Sequence, residues 1–488
     1  MDNKEMNAAP AVKKPKKKPE AEILLDRQIE MKAKTRKTDI AILASFCAFI
    51  LFFGIMFFIL PDKAHSQTEN RDLAQMPSLS FSRIVNDLKR DLKLMTMTED
   101  EKKAYIAELG DNYKVFSDEI GDYYADQFPF RDQLRVVKAA AEIGMLKQEN
   151  NDVVFAGDYL IKKDTVSGKV QNEDGTYRNR TYEDAVKDIK NNVHLISGIE
   201  QSLPEGIDLR AAIAGRTIDV AKSKLPAVFP YEDTHSDYYW AAYSGQAADD
   251  GLSTVDLKNL LRLHMDSGDY VYYKTDHHWT SLGAYYAYTE IVRSYGIEPY
   301  PIDSFTRETF TTEYTGTTYS KAGAVFGGKD TIELFRYEGD EDFTTIITKG
   351  DDPTPGKEGV TTLKGFYNPD KYRDIVDKYS VFIGADNTSD GSNNFITLVT
   401  KNTAEKREKL LLIKDSFGNS VVPFLARHFD LVIIDLRSAN GRDFTKFLDD
   451  PDLTHILFLY NMETFMNDAK ISDAASRMIP YYKQKAKQ

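Results

Sequence analysis

Ser416 stands in KLLLIKDSFGNS, directly after an apolar run with the composition of a buried strand and at the start of a helix-like one. In open α/β sheets, ligands and nucleophiles gather at such strand-to-helix junctions. A serine there has two readings. It can be an N-cap whose hydroxyl accepts from a backbone amide near Gly418 or Asn419, or a nucleophile whose oxyanion is met by amides at the helix N-terminus. The second reading requires a base, a histidine oriented by a carboxylate. YKTDHHWTS, Tyr273 to Ser281, can supply one. VYYKTD reads as a strand, and TSLGAYYAYTEIVRSYG as an amphipathic helix capped by Thr280 or Ser281, so Asp276 to Trp279 forms a second strand-to-helix junction. In extended backbone, residues two apart share a side. Asp276 and His278 are therefore expected to face one site, with His277 pointing elsewhere and Trp279 forming a wall or an anchor. A carboxylate that holds a neutral imidazole in one tautomer is the orienting half of a serine-hydrolase triad.

Two other readings of the same residues compete. Asp276, His277 and His278 are acceptable ligand types for zinc or non-haem iron. Adjacent histidines diverge, however, and the HExxH spacing that places two on one helix face is absent. His65, His194, His235, His264, His428 and His455 are scattered without ligand spacing, so no metal is expected. The other alternative is purely structural, with DHHW capping and packing the following helix. No cofactor is expected.

A layered α/β domain must position these residues. Beyond Asn150, short apolar β-type runs alternate with helical ones: VVFAGDYLI, then YEDAVKDIKNNVHLISGIEQSL, then IDLRAAIAG. This alternation predicts a largely parallel sheet. Residues 303–365, rich in Thr, Gly and Asp, read as an inserted β-rich segment with a mobile loop near Gly350 to Gly359. Alternation resumes with YSVFIGAD, Tyr379 to Asp386. KLLLIKD, SFGNSVVPFLARHF and DLVIIDLR then read as one βαβ unit, and HILFLYN as a further strand. Arg437 and Asn461 each end a strand run. With Trp279 they are candidates for substrate contact or oxyanion stabilisation, against the plainer reading of ordinary polar residues at strand ends.

From Ile40 to Leu60 the chain is uninterruptedly apolar, long enough at ~1.5 Å per residue to cross a ~30 Å hydrocarbon core. A signal peptide is the alternative, but its apolar region is typically about 7–15 residues. Residues 1–39 hold 11 Lys/Arg against 7 Asp/Glu, whereas the whole chain holds 63 against 76. Positive-inside reasoning predicts a cytoplasmic N-terminus and an extracellular domain from residue 61 onward. The acidic body argues against generic nucleic-acid binding, which rests on neutralising phosphates. Cys47, the single cysteine, lies in the apolar run, which leaves no disulfide, Cys-based zinc site or thiol nucleophile outside it. The expected division is a basic cytoplasmic tail (1–39, Lys/Pro-rich and disordered over 1–22), a transmembrane helix (40–60), a helical stalk leading away from the bilayer (61–150) and a catalytic domain (151–488, with 303–365 inserted). The stalk pattern breaks at FPFRD, Phe128 to Asp132, as a docking turn or a helix stop.

Asp276-His277-His278-Trp279 followed by Thr280 and Gly283, with Lys414-Asp415-Ser416-Phe417 downstream, resembles the bacterial DHHW family, itself similar to the extracytoplasmic alginate O-acetyltransferases of SGNH-hydrolase-like fold. The resemblance runs from about Asp126 to the C-terminus and includes FPFRD and VVFAGDYLI. It implies a flavodoxin-like SGNH domain with Ser416 as nucleophile, His278 as base and Asp276 as its orienting carboxylate. The order Asp, His, Ser is that of a circularly permuted SGNH hydrolase, and Lys414 stands where the family's glycine precedes Asp-Ser. The implied activity is transfer of an acetyl group through acetyl-serine to a cell-surface or secreted polysaccharide, with a membrane-bound O-acyltransferase as acetyl donor. A surface carbohydrate esterase and a non-catalytic glycan-binding scaffold are the alternatives.

Overall fold

The computed structural model describes residues 19–66, 69, 71–78, 80–98, 101–102, 105, 116–163, 166–172, 177–323, 327–383, 394–467 and 470–487. The tail expected over 1–22 lies outside these residues as far as Lys18. From Glu20 the chain is one 40-residue helix, α1 (Glu20–Ile59), whose second half is the apolar run. It is the one helix among the described residues long and apolar enough to cross a membrane. Three shorter helices follow: α2 (Phe81–Thr96), α3 (Phe116–Asp126) and α4 (Arg131–Gly144). FPF forms the turn between the last two, with Phe130 in left-handed backbone as the cap of α4.

VVFAGDYLI folds back on itself as an antiparallel hairpin, β1 (Val153–Ala156) and β2 (Tyr159–Lys162), because Gly157 supplies the positive φ its turn requires. Two helices expected from sequence are present as α5 (Tyr182–Glu200) and α8 (Ser281–Ser294). Between them lie β3 (Asp208–Ala214), α6 (Ser236–Asp250), β4 (Thr254–Val255) and α7 (Leu257–Asp266). The hairpin β5 (Thr306–Tyr314) and β6 (Asp330–Arg336) pairs only with itself. Then come β7 (Phe343–Thr348), β8 (Val360–Lys364), β9 (Ile396–Lys401), β10 (Lys409–Lys414), β11 (Asp430–Ile434), β12 (Leu453–Asn461) and the closing helix α9 (Ile471–Lys485).

Eight of these strands form one sheet in the order β8-β7-β9-β11-β10-β12-β3-β4. The pairs from β11 to β4 are parallel, and those from β8 to β11 antiparallel. The largely parallel expectation therefore holds for one half of the sheet only. Alternate residues of β10 enter two cores: Leu410 and Leu412 pack with α7 and α8, while Leu411 and Ile413 pack with α5, α6 and α9. Covering both faces is what makes KLLLI and ILFLY continuous apolar runs instead of alternating ones. Ser416, Arg437 and Asn461 lie at or just beyond the carboxyl ends of β10, β11 and β12, and the site lies there.

Two local expectations differ from the structure. YSVFIGAD is a 3-10 turn over Lys378–Val381 followed by left-handed Ile383, not a strand. The remainder of that run, from residue 384, lies outside the described residues. SFGNSVVPFLARHF is a 3-10 turn (Ser416–Val421) continued by one short α-turn (Val422–Leu425), consistent with Gly418 and Pro423 disfavouring a longer regular helix.

Candidate active site

The segment before α8 is held by isolated backbone hydrogen bonds, such as Tyr273 N–H to the His278 carbonyl at 3.1 Å and Leu160 N–H to that of Lys274 at 2.8 Å, and by one side chain, not by a strand ladder. A single bridge joins Tyr272 and Trp279, and the buried Asp330 carboxylate on β6 accepts from the backbone N–H groups of Lys274 (2.9 Å) and Thr275 (2.8 Å), from the Thr275 hydroxyl (2.5 Å) and from the Tyr270 phenol. Thr280 caps α8 as predicted, its Oγ1 accepting from Gly283 N–H at 3.2 Å. Within this loop, Asp276 Oδ1 accepts the His278 backbone N–H at 3.0 Å. That contact is an Asx-type turn, so the alternation of extended backbone does not apply. His277 accordingly does not turn away. Its ring lies 3.9 Å from that of His278, and its Nδ1 is 2.7 Å from Thr317 Oγ1.

At the end of β10, Asp415, not Ser416, is the capping residue. Its Oδ1 accepts from Phe417 N–H at 2.9 Å and its Oδ2 from Asn461 N–H at 2.8 Å, tying the serine turn to the end of β12. Trp279 clamps the same turn from behind: its indole N–H lies 3.1 Å from the Phe417 carbonyl and 2.9 Å from Ser420 Oγ. The Ser416 hydroxyl is left out of the capping hydrogen bonds and directed toward His278.

Ser416 Oγ lies 2.7 Å from His278 Nε2, and His278 Nδ1 lies 2.5 Å from Asp276 Oδ1. The other Asp276 oxygen accepts from the backbone N–H (2.8 Å) and hydroxyl (3.0 Å) of Thr317. Burial acts to raise the pKa of Asp276, but His277 and His278 and the hydrogen bonds from His278 outweigh it and hold the carboxyl well below its usual range. Burial, then the neighbouring His278, pushes the His277 imidazolium down to about 4. Three residues from two loops thus form one continuous hydrogen-bonded line ending on a hydroxyl.

Residues 242–435 match the family model of the DHHW proteins. No curated protein sequence matches the chain. Among solved structures, a DHHW family protein from Eubacterium siraeum is similar over 67% of this chain and 96% of its own, at 20% identity and a TM-score of 0.49. PatB1 from Bacillus cereus is similar over 66% and 98%, at 18% identity and a TM-score of 0.48. The O-acetyltransferase domain of Pseudomonas putida AlgJ is similar over 64% and 99%, at 15% identity and a TM-score of 0.38.

Two cavities flank Ser416. One, of about 490 Å³, is lined by His277, Thr317, Arg437, Asn461, Lys162 and Glu463 among others, and a smaller one of about 220 Å³ by Asp276, His278, Tyr379, Lys414, Asn419 and Arg437 among others. Arg437 borders both. Its guanidinium grips Asp435 in a fork at 2.9 and 2.6 Å, and Lys414 Nζ reaches Asn419 Oδ1 at 2.8 Å and Asp435 at 3.4 Å. Burial lowers the Lys414 ammonium from its ordinary value, against the opposing pull of Asp435. Asn461 borders the larger cavity while its Nδ2 donates to the Gly215 carbonyl at 3.0 Å. Trp279 is fully buried and borders neither cavity, so its position is that of an anchor.

Sequence reasoning missed Thr317, Tyr379 and Asp330. Thr317 and Asp330 lie in or beside the hairpin read as an insertion, where nothing in the local pattern marks them. A close approach marks Thr317 indirectly: a Cβ on Gly316 would fall 2.2 Å from Asp276 Cβ. Asp276, His277 and His278 also offer ligand atoms within 4.8 Å of one another. Those atoms already have partners in Thr317, in each other and in Ser416, so an ion would have to displace the relay just described.

Proposed function

We propose that this protein is a membrane-anchored, extracytoplasmic O-acetyltransferase of SGNH-hydrolase type, acting on a cell-surface or secreted polysaccharide through Ser416, His278 and Asp276. The Ser416–His278–Asp276 line, with its 2.7 and 2.5 Å contacts, is the observation that carries the reading. His278 Nε2 takes the hydroxyl proton as Oγ bonds to the donor's acyl carbon, and returns it to the departing donor group as the acyl bond breaks. In the second half a sugar hydroxyl gives its proton to His278 and attacks the acetyl-serine, and Oγ leaves, reprotonated. Asp276 stays ionised throughout and orients the ring. The Arg437 guanidinium, bordering both cavities, and Asn461 are candidate stabilisers of the carbonyl oxygen. The donor in this reading is a membrane-bound O-acyltransferase, and α1 keeps the domain within its reach. The basic residues before the apolar run favour a cytoplasmic N-terminus and a domain outside in this reading. If water took the place of the sugar, the same residues would make a carbohydrate esterase.

The test is peptide mass spectrometry of the detergent-solubilised chain after exposure to an activated acetyl ester, beside Ser416→Ala and His278→Ala. The expected result is an acetyl adduct on the Ser416 peptide that disappears in both variants. A folded chain that gains no adduct and turns over no ester would overturn the enzyme reading in favour of a glycan-binding scaffold.

A further inference from the structure

The arm between α1 and the α/β domain carries apolar groups that no core claims. In α2, Phe81, Ile84, Leu88, Leu92 and Met95 recur at helical spacing, and no residue of the helix is buried: Phe81 is 82%, Leu88 59% and Met95 80% exposed. The remaining faces carry Arg83, Lys89, Arg90 and Lys93 against Asp87 and Asp91, a basic helix on an acidic chain. Separately, the FPF turn packs on α1 within its apolar run. Phe128 stacks on Phe53 at 5.3 Å and Phe130 on Phe52 at 6.4 Å, while Tyr124 meets Phe57 at 5.0 Å. Phe53 stands seven residues before Leu60, about 10 Å below the end of the run at the helical rise. Tyr124 and the FPF rings meet successively earlier residues of α1, while Gln127 and Asp132 on either side of the turn bond to Lys63 beyond its end at 2.9 and 3.4 Å, so the rings reach into the apolar run from a polar rim. α2 is fastened to α3 near the upper end, where Arg83 pairs with Glu119 at 2.6 Å and Phe116 N–H donates to Asp87 at 2.9 Å.

We infer that the arm is a second membrane contact: the FPF turn inserts into the outer leaflet beside α1, and α2 lies in the headgroup layer on its apolar stripe. This rests on α1 spanning the bilayer, as proposed above. An apolar stripe with Lys and Arg around it is the composition of an interfacial helix, which seats its apolar face about 5–10 Å into the headgroup and acyl boundary. Bilayer is the occupant because the FPF turn lies on the apolar run of α1, and α2 is fastened to α3, the helix that leads into that turn. The arm then holds the α/β domain down on the membrane, where a stalk would carry it away, and the Ser416 site works at the lipid surface.

The test is spin labelling of the full chain in lipid nanodiscs, in a Cys47→Ser background, at Leu88→Cys, Met95→Cys and Phe128→Cys, with Phe46→Cys as span control and Lys357→Cys as water control. Leu88 and Met95 are surface positions, so their replacement leaves packing intact. The expected result is that all three arm labels collide with oxygen several-fold more than with a water-soluble nickel complex, as the Phe46 label does. Arm labels that match Lys357 while Phe46 reports lipid would overturn the inference and leave the span standing. A Phe46 label that reports water would overturn the span itself, and the inference with it. Leu88 and Met95 labels shielded from both reagents would also overturn it, assigning the stripe to a protein partner or a second copy.

Discussion

Tyr379 lies flat against the His278 imidazole, ring centroids 4.0 Å apart and planes 14° from parallel, and its phenol donates to the Ser416 carbonyl at 3.2 Å. One residue therefore fixes both the plane of the His278 ring and the turn that carries Ser416. Tyr379→Phe keeps the stack and loses the phenol's contacts with Ser420 Oγ, at 3.2 Å, and with the Ser416 carbonyl, of which the second holds the serine turn and is worth about 1 kcal/mol. Ester turnover should fall by about fivefold in Tyr379→Phe and by at least about 100-fold in Tyr379→Ala, given about 1.4 kcal/mol per decade. Equal losses would show that the stack does not position the ring.

Asp276→Asn preserves shape but exchanges an acceptor for an amide facing His278 Nδ1. With the imidazole in the wrong tautomer, single-turnover acetylation of Ser416 should slow by about 10⁴-fold, in a chain that still folds but is destabilised by about 1–3 kcal/mol, because the amide faces donors that the carboxylate accepts from. Rates by quenched-flow mass spectrometry beside a melting curve separate a lost base from a lost fold.

Gly316 allows the close approach that lets Thr317 reach Asp276. An alanine there would put Cβ 2.3 Å from Asp276 Oδ2, so the carboxylate must move. Gly316→Ala should destabilise by about 1–3 kcal/mol, the range for overpacking, and lose far more activity than that stability change explains. Denaturant melts with parallel assays check it.

Acid should weaken the fold between pH 6.5 and 4. Burial, then Arg427 and Arg407, pushes His428 down to about 4, and His277 is pushed down to about 4 as well. Both histidines take up protons more readily once unfolded, so the stability they lend is complete above about pH 6.5 and is lost as pH falls toward 4. Tyr288 OH is 2.8 Å from His428 Nε2, and His428→Gln keeps an acceptor there without the titration. Its melting temperature should fall less steeply over that window than the parent's.

Much of this architecture was legible because it obeys local rules. The KLLLI and HILFLYN strands, the α5 helix and the Thr280 cap of α8 follow from apolar runs, spacing and capping chemistry. What escaped depends on side chains acting across the fold. Asp330 builds the histidine loop without a ladder, which no propensity of VYYKTD reveals. The turn that brings His277 against His278 arises from a carboxylate closing on a backbone amide two residues on. Tyr379 reaches the site from a run that looks like a strand, because left-handed Ile383 and the packing of the aromatic ring override its β character.

The indole hydrogen bond from Trp279 to Phe417 joins positions 138 residues apart. A chain made from its N-terminus has Asp276 and His278, the carboxylate and base of the proposed mechanism, long before Ser416, its proposed nucleophile, exists. Contacts of such span close late, since their loop entropy must be met before they stabilise anything. Until they close, Ser416 is an ordinary alcohol, so nascent or partly folded chains carry no armed serine and reactivity arrives only with the finished sheet.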